Sequence, residues 1–149
     1  MKEGAFGDMW KLNIEFLYPV GSQQKHHDEQ DNVEIEGATW QSVPIKGKFP
    51  AKLAHHQGVL QEFTKEFIIY GGIRGVESSD TIYVVDLKTF NFNAILAAQQ
   101  KEVNGKALPG PRDDHCMISF QVEQPRTKPV YLIGGFKNGS KMNDVYKLN

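Results

Sequence analysis

The chain has little of what would mark a specialised class. Its single cysteine, Cys116, cannot form an internal disulfide, which points to a cytoplasmic or otherwise reducing setting and gives no cysteine pair for zinc. Lysine and arginine total 17 against 18 aspartate and glutamate, a formal net charge of −1. No basic footprint for nucleic acid or an anionic membrane surface follows from that balance. No apolar run approaches the roughly 20 residues of a membrane-spanning helix. The first seven residues, Met1 to Gly7, lack the apolar centre of a signal peptide. Gly71-Gly72-Ile73-Arg74-Gly75 lacks the Gly-Lys-Ser/Thr ending of a phosphate loop. What remains is ordinary globular material, 149 residues with 40% hydrophobic and 23% charged side chains, one domain by length.

What is present is a repeat. Phe67-Ile68-Ile69-Tyr70-Gly71-Gly72 has a second copy in Val130-Tyr131-Leu132-Ile133-Gly134-Gly135. Four large apolar residues before a turn signal read as a strand buried on both faces. The glycine pair lets the backbone leave that strand with positive φ or pass close to a neighbour. Tyr83 follows Gly72 by 11 residues, and Tyr146 follows Gly135 by 11. Each tyrosine lies in a further apolar stretch preceded by a polar pair, Ser79-Asp80 or Asn143-Asp144. A third copy of this half-unit opens the chain, with Trp10 in the tyrosine's place. Such self-similarity governs every local reading.

The pattern resembles kelch repeats. Gly-Gly, then Tyr83, then Phe92 nine residues later matches it, with Phe where the family usually has Trp. Pro111-Arg112-Asp113-Asp114-His115 looks like the family's Pro-Arg-x-x-His, and Ala51 to His55 is a weaker copy with Lys52 for Arg. The resemblance implies an all-β fold of β-propeller blades. Residues 1–43 would end one blade, with Trp10–Phe16 its third strand, Trp40 its late aromatic and 17–32 an inserted loop. The centre of that insertion, residues 21–32, has no apolar side chain and reads as mobile. Residues 44–96 would make one complete blade, with strands at 55–60, 67–70, 82–86 and 90–95 and a loop over 73–80. Residues 97–149 would supply three strands of another, at 115–120, 129–133 and 145–149, with a loop over 136–143. Good helix formers predict a helical turn or two within Ala94 to Val103. These nine strands form an incomplete propeller, open unless other chains or further sequence complete it, and its unpaired edges invite association.

In an up-and-down meander the loops joining second to third strands leave the same face as the connections between blades. That face holds Arg74, Glu77, Lys137, Asn138 and Lys141, the candidate partner-binding residues, because loops on a rigid scaffold usually carry binding. In relatives resembling this chain, the corresponding loops often grip a partner peptide. Asp113-Asp114-His115 invites a metal or catalytic reading. Its repetition at Lys52 and His55 instead favours a structural role, with Arg112 and His115 hydrogen-bonding a first strand to its neighbour. Side-chain alternation makes His55 and His56 poor joint ligands. It also separates Cys116 from His115, leaving Cys116 as a small buried residue. His26-His27 reads as solvated loop. Phe67, Tyr70, Tyr83 and Phe92 read as packing between blades. The expectation is a non-enzymatic scaffold or adaptor without cofactor or metal. Its partner would be another protein, with self-association through open sheet edges as a further route. The alternatives are a fragment of a propeller enzyme acting on sugars, as some kelch-bearing proteins do, and a purely structural subunit of a larger assembly.

Overall fold

Apolar runs rich in β-branched and aromatic residues become strands here, and no helix occurs among the described residues. The computed structural model describes residues 7–17, 34–50, 52–96, 102–103, 106–107, 109–120 and 128–148. The expected mobile centre of the insertion, residues 21–32, lies outside them. The chain divides into two compact units, Asp8–Pro44 and Met1–Gly7 with Ile45–Asn149.

The smaller unit is one antiparallel pair, β1 (Trp10–Leu17) and β2 (Glu34–Ser42). Trp10 lies opposite Ser42 and Leu12 opposite Trp40, with a bulge between Glu15 and Phe16. Glu34 to Glu36, the described part of the alternating stretch that begins at Val33, thus extend the outer strand, as a period of two suggests.

The larger unit holds two principal sheets. The first has order β3-β9-β8-β5-β4, from β3 (Lys46–Gly47), β4 (Gln57–Gln61), β5 (Glu66–Tyr70), β8 (Thr81–Asp86) and β9 (Asn91–Leu96). Strands β4, β5, β8 and β9 form an antiparallel meander, and β3 adds a parallel edge beside β9. The second sheet is β12 (Cys116–Ser119), β13 (Val130–Lys137) and β14 (Ser140–Leu148), also antiparallel.

The two glycine-ended runs occupy the same place, each in the strand after the first of its meander. Tyr83 lies opposite Ile69, and Tyr146 lies opposite Leu132. These pairs are the third residue of each apolar run against the tyrosine 11 residues past its glycines. Leu12 against Trp40 in the smaller unit repeats the pairing of Val85 against Phe92.

The interior of the larger unit lies between its two sheets. Val59 and Tyr70 from the first pack with Met117, Val130 and Leu132 from the second, joined by Ile68, Ile82 and Tyr146. Burying each aliphatic member contributes roughly 1.5–3 kcal/mol. At the far end Gln61 Nε2 donates to the Lys128 carbonyl at 3.0 Å, and Lys128 pairs with Glu62. The first sheet's other face buries Ile69, Tyr83, Val85 and Phe92, with Phe49 edge-on to Phe92 at 4.6 Å.

Four expectations give way. The loop over 73–80 contains a small hairpin, β6 (Ile73–Arg74) with β7 (Glu77–Ser78). The loop over 136–143 is the tip of the β13–β14 hairpin, which runs through Gly134-Gly135 with a bulge. Of the helical turn expected within Ala94 to Val103 the two ends are strand instead: Ala94 to Leu96 belong to β9, and Glu102–Val103 forms β10 against β11 (Lys106–Ala107), while residues 97–101 lie outside the described residues. Pairing with β8 satisfies the backbone of Ala94 to Leu96, and helix propensity of a few tenths of a kcal/mol cannot compete. Where nine strands are expected, the described residues therefore hold fourteen. No helix among the described residues is long and apolar enough to cross a membrane.

The glycines explain how the strands leave the sheets. Gly71 and Gly72 have φ of 66° and 92°, Gly134 and Gly135 of 60° and 107°. A Cβ on Gly71 would strike the Arg112 carbonyl oxygen and come within 2.8 Å of His115 Cε1. Gly75, at φ 66°, faces open space. Gly75→Ala should therefore lose only the left-handed penalty of about 1–2 kcal/mol, while Gly71→Ala loses roughly 3 kcal/mol or more by adding that collision. Urea midpoints of the two variants test this, and equal losses would refute the close approach.

Candidate functional site

Backbone rules place the site. Directly after each glycine pair the chain makes a reciprocal bridge to the segment before the first strand. Ile73 and Ala54 exchange hydrogen bonds of 2.7 and 3.1 Å, and Phe136 and Asp113 exchange bonds of 2.8 and 3.0 Å. Each bridge leads into a two-residue hairpin turn. Asn138 and Gly139 have φ of 49° and 81°, both positive as a type I′ turn requires. Gly75 alone is positive in the Gly75-Val76 turn, as in type II′. Two hairpins of matching length thus rise from matching bases.

Arg112 fastens the second base. Its side chain is only 1% exposed. Nη1 donates to Asp144 Oδ1 at 2.6 Å and to the Gly134 carbonyl at 2.9 Å, Nη2 to Asp144 Oδ2 at 3.0 Å, and Nε to the Gly110 carbonyl at 3.3 Å. The guanidinium carbon lies 5.4 Å from the Tyr146 ring centre. This hydrogen-bonded guanidinium holds the Asp144 carboxyl below the usual carboxylate range. The main chain of Arg112 faces the other way, accepting from Gly72 N–H at 2.8 Å and donating to the Ser79 carbonyl at 3.2 Å. Ser78 Oγ donates to Asp113 Oδ1 at 2.7 Å. Residues 112 and 113 therefore join both sheets and both hairpins.

His115 departs from expectation. It is 3% exposed, yet neither ring nitrogen has a hydrogen-bond partner among the described residues. It packs instead, edge-on to Tyr70 at 5.5 Å and beneath Gly71. Burial, then the Arg112 charge, lowers its pKa to about 4. Tyr70, its phenol pushed upward by burial, donates to the Pro109 and Gly110 carbonyls at 2.7 and 3.0 Å.

The weaker copy at Lys52 and His55 is out of register by one residue. Equating the two bridges sets Ala54 with Asp113, so Leu53 stands where Arg112 does and His56 where His115 does. The glycines agree: a Cβ on Gly72 would meet His56 Cβ, and one on Gly135 would meet His115 Cβ, at 2.9 and 2.8 Å. Leu53 is buried and apolar, so this base has no arginine knot, and Lys52 is exposed. His55 instead matches Asp114; both have positive φ, and they touch, Nδ1 to Oδ1, at 2.8 Å. Cys116 is exposed rather than buried, because Met117, the next residue of β12, turns inward.

The candidate binding residues line the hairpins. Arg74 and Glu77 are exposed cross-strand partners, and Arg74 Nη2 donates to the Tyr83 hydroxyl at 3.2 Å. Lys137 lies opposite Ser140, and its ammonium stands 2.7 Å from where a Cβ on Gly110 would be. Asn138 occupies the turn and Lys141 is exposed opposite Phe136. Val76, at the other turn, is 98% exposed. Sequence reasoning missed Asp144, Ser78 and the linking role of Asp113. Only the acidic residue within the polar pair Asn143-Asp144 hinted at a partner for Arg112. Among the described residues, no three His, Cys, Asp or Glu side chains converge as metal ligands. No model of a known protein family matches the chain, and no curated protein matches it.

The titrating groups separate by pH. The Asp114 hydrogen bond raises the pKa of His55. Its contribution is complete below the unfolded value near 6.5 and is lost as pH rises through the folded value. His115 has the opposite sign. Between about 4 and 6.5 the unfolded chain binds a proton that the folded chain refuses, so stability falls as pH drops through that window. Asp144 contributes above about 3.8 and is lost only at lower pH. The melting temperature should decline between pH 6.5 and 4.5, and His115→Phe should flatten the decline. An unchanged slope in that variant would contradict the assignment.

Proposed function

We propose that this chain is a non-enzymatic protein-binding module, built of kelch-type propeller blades, that reads its partner with the tips of two matched hairpins. The observation that carries this reading is the pairing of exposed tips with rigid, buried bases. Binding side chains held on fixed turns lose little freedom when they engage a partner. Arg74, Lys137 and Lys141 give three positive charges against the single negative charge of Glu77, and Asn138 and Val76 add a polar and an apolar contact. An acidic, extended segment of another protein fits that surface best. A cytoplasmic adaptor would meet such segments.

The reading as part of a sugar-acting enzyme asks for arginine, glutamate, histidine or tyrosine converging on a substrate. Arg112 spends its donors on Asp144 and two carbonyls, and Tyr70 spends its hydroxyl proton on the connection at Pro109-Gly110. Those engagements favour a structural use of both.

The test is affinity capture from cell extract with the native chain and with Arg74→Glu/Lys137→Glu/Lys141→Glu. Specific partners should fall about tenfold in recovery with the variant, and raising the salt should weaken capture by the native chain. Equal recovery by a variant with an unchanged circular dichroism spectrum would discard the tips as the binding surface.

A further inference from the structure

The two hairpins match in backbone and differ in charge. Arg74 and Lys137 each lie two residues past a glycine pair, and each faces the residue three positions further on across a two-residue turn. For Arg74 that residue is Glu77, so the first hairpin carries its own counter-charge. For Lys137 it is Ser140, and Lys141 follows directly. The second hairpin therefore presents two cations and, in the anion's place, an exposed serine.

A phosphate on Ser140 would complete the match. It carries about −1.5 to −2 charge at pH 7 and offers three strong acceptor oxygens. It would stand opposite Lys137 as the Glu77 carboxylate stands opposite Arg74, a place where the first hairpin already accommodates an anion. The sequence Lys137-Asn138-Gly139-Ser140-Lys141 puts one cation three residues before the serine and another directly after it. Charge patterns of that kind guide kinases to their substrates. Access needs only local opening. Ser140 is the first residue of β14, and opening the turn breaks the Lys137–Ser140 pair while Phe136 below it keeps its two hydrogen bonds to Asp113.

We propose that Ser140 is a phosphorylation site for a serine kinase that selects basic neighbours, and that its phosphate neutralises the second tip and releases an acidic partner. Ser140 Oγ attacks the γ-phosphorus of ATP, the bond to the β-phosphate oxygen breaks, ADP leaves, and the hydroxyl proton passes to the kinase's catalytic carboxylate. Before transfer the tips hold Arg74, Lys137 and Lys141 against Glu77 alone. Afterwards the charges are close to balance. The release rests on the reading of the tips as the binding surface; the modification does not.

The intact chain is incubated with ATP and the catalytic domain of protein kinase C, which favours basic residues around its serine, and the phosphate is located by tandem mass spectrometry. Binding of a fluorescein-labelled hexaglutamate peptide is then followed by anisotropy at low ionic strength, where surface charge acts most strongly. Phosphate is expected on Ser140. Ser140→Ala should lose nearly all incorporation, and Lys137→Gln should slow it about tenfold. Phosphorylation should weaken peptide binding about tenfold, and Ser140→Glu, which copies Glu77, should weaken it in part. Incorporation unchanged in Ser140→Ala, or a rate unchanged in Lys137→Gln, would overturn the site. A phosphorylated chain that binds the peptide as the unmodified chain does would overturn the release. If the unmodified chain binds no better than Arg74→Glu/Lys137→Glu/Lys141→Glu, the reading of the tips falls instead, and mass spectrometry still decides the site.

Discussion

The architecture of the larger unit depends on one buried cation. Arg112 places its guanidinium between Asp144 and the Gly134 carbonyl, so the middle of the third strand, β14, and the bulge of the second, β13, are held to the segment that leads into the first. A buried ion pair contributes little net stability over a hydrophobic replacement, because both charges must be stripped of water. Removing one partner is a different matter, since it strands the other. What Arg112 supplies is position. With its side chain fixed in the second sheet, its carbonyl is delivered to the Gly72 amide of the first. Only a glycine at 71 admits that carbonyl, so the glycine pair and the arginine are two halves of one junction.

The junction relates the fold to the proposed function. Two hairpins with two-residue turns leave the sheets at equivalent points, and Ser78, Asp113 and Phe136 connect their bases through hydrogen bonds. Tips on such bases are displayed rather than left to wander. His115 sits under the same junction without a polar partner, neutral near pH 7 by virtue of its lowered pKa. A charged imidazole there would face Arg112, so the packing selects the uncharged ring.

Much of this was legible in the sequence, because the strongest signals are local. The runs Phe67 to Tyr70 and Val130 to Ile133 announce strands by composition, and the common 11-residue spacing to Tyr83 and Tyr146 fixes their equivalence. Even Trp40, displaced by a long insertion, takes the register of Phe92. The candidate binding residues read as parts of two loops, and they lie on two hairpins. The Asn138-Gly139 dipeptide carried the turn signal for one of them. What failed was mostly non-local. Ala94 to Leu96, where a helical turn is expected to begin, yield to pairing with β8. The histidine of the weaker copy reads one position early in the sequence because His55 and His56 are adjacent, and the Ala54–Ile73 bridge and the approach of Gly72 to His56 separate them. Asp144, 32 residues from Arg112, has no spacing rule that would pair the two.

Hydrogen exchange at the Gly72 amide tests the junction most directly. That amide belongs to the first sheet's segment, while the carbonyl it meets is positioned by an ion pair in the second. In Asp144→Asn its exchange should accelerate about tenfold or more, while the β5 amides that pair with β8 keep their protection. Unchanged exchange at Gly72 in that variant would contradict the claim that Arg112 ties the two sheets together.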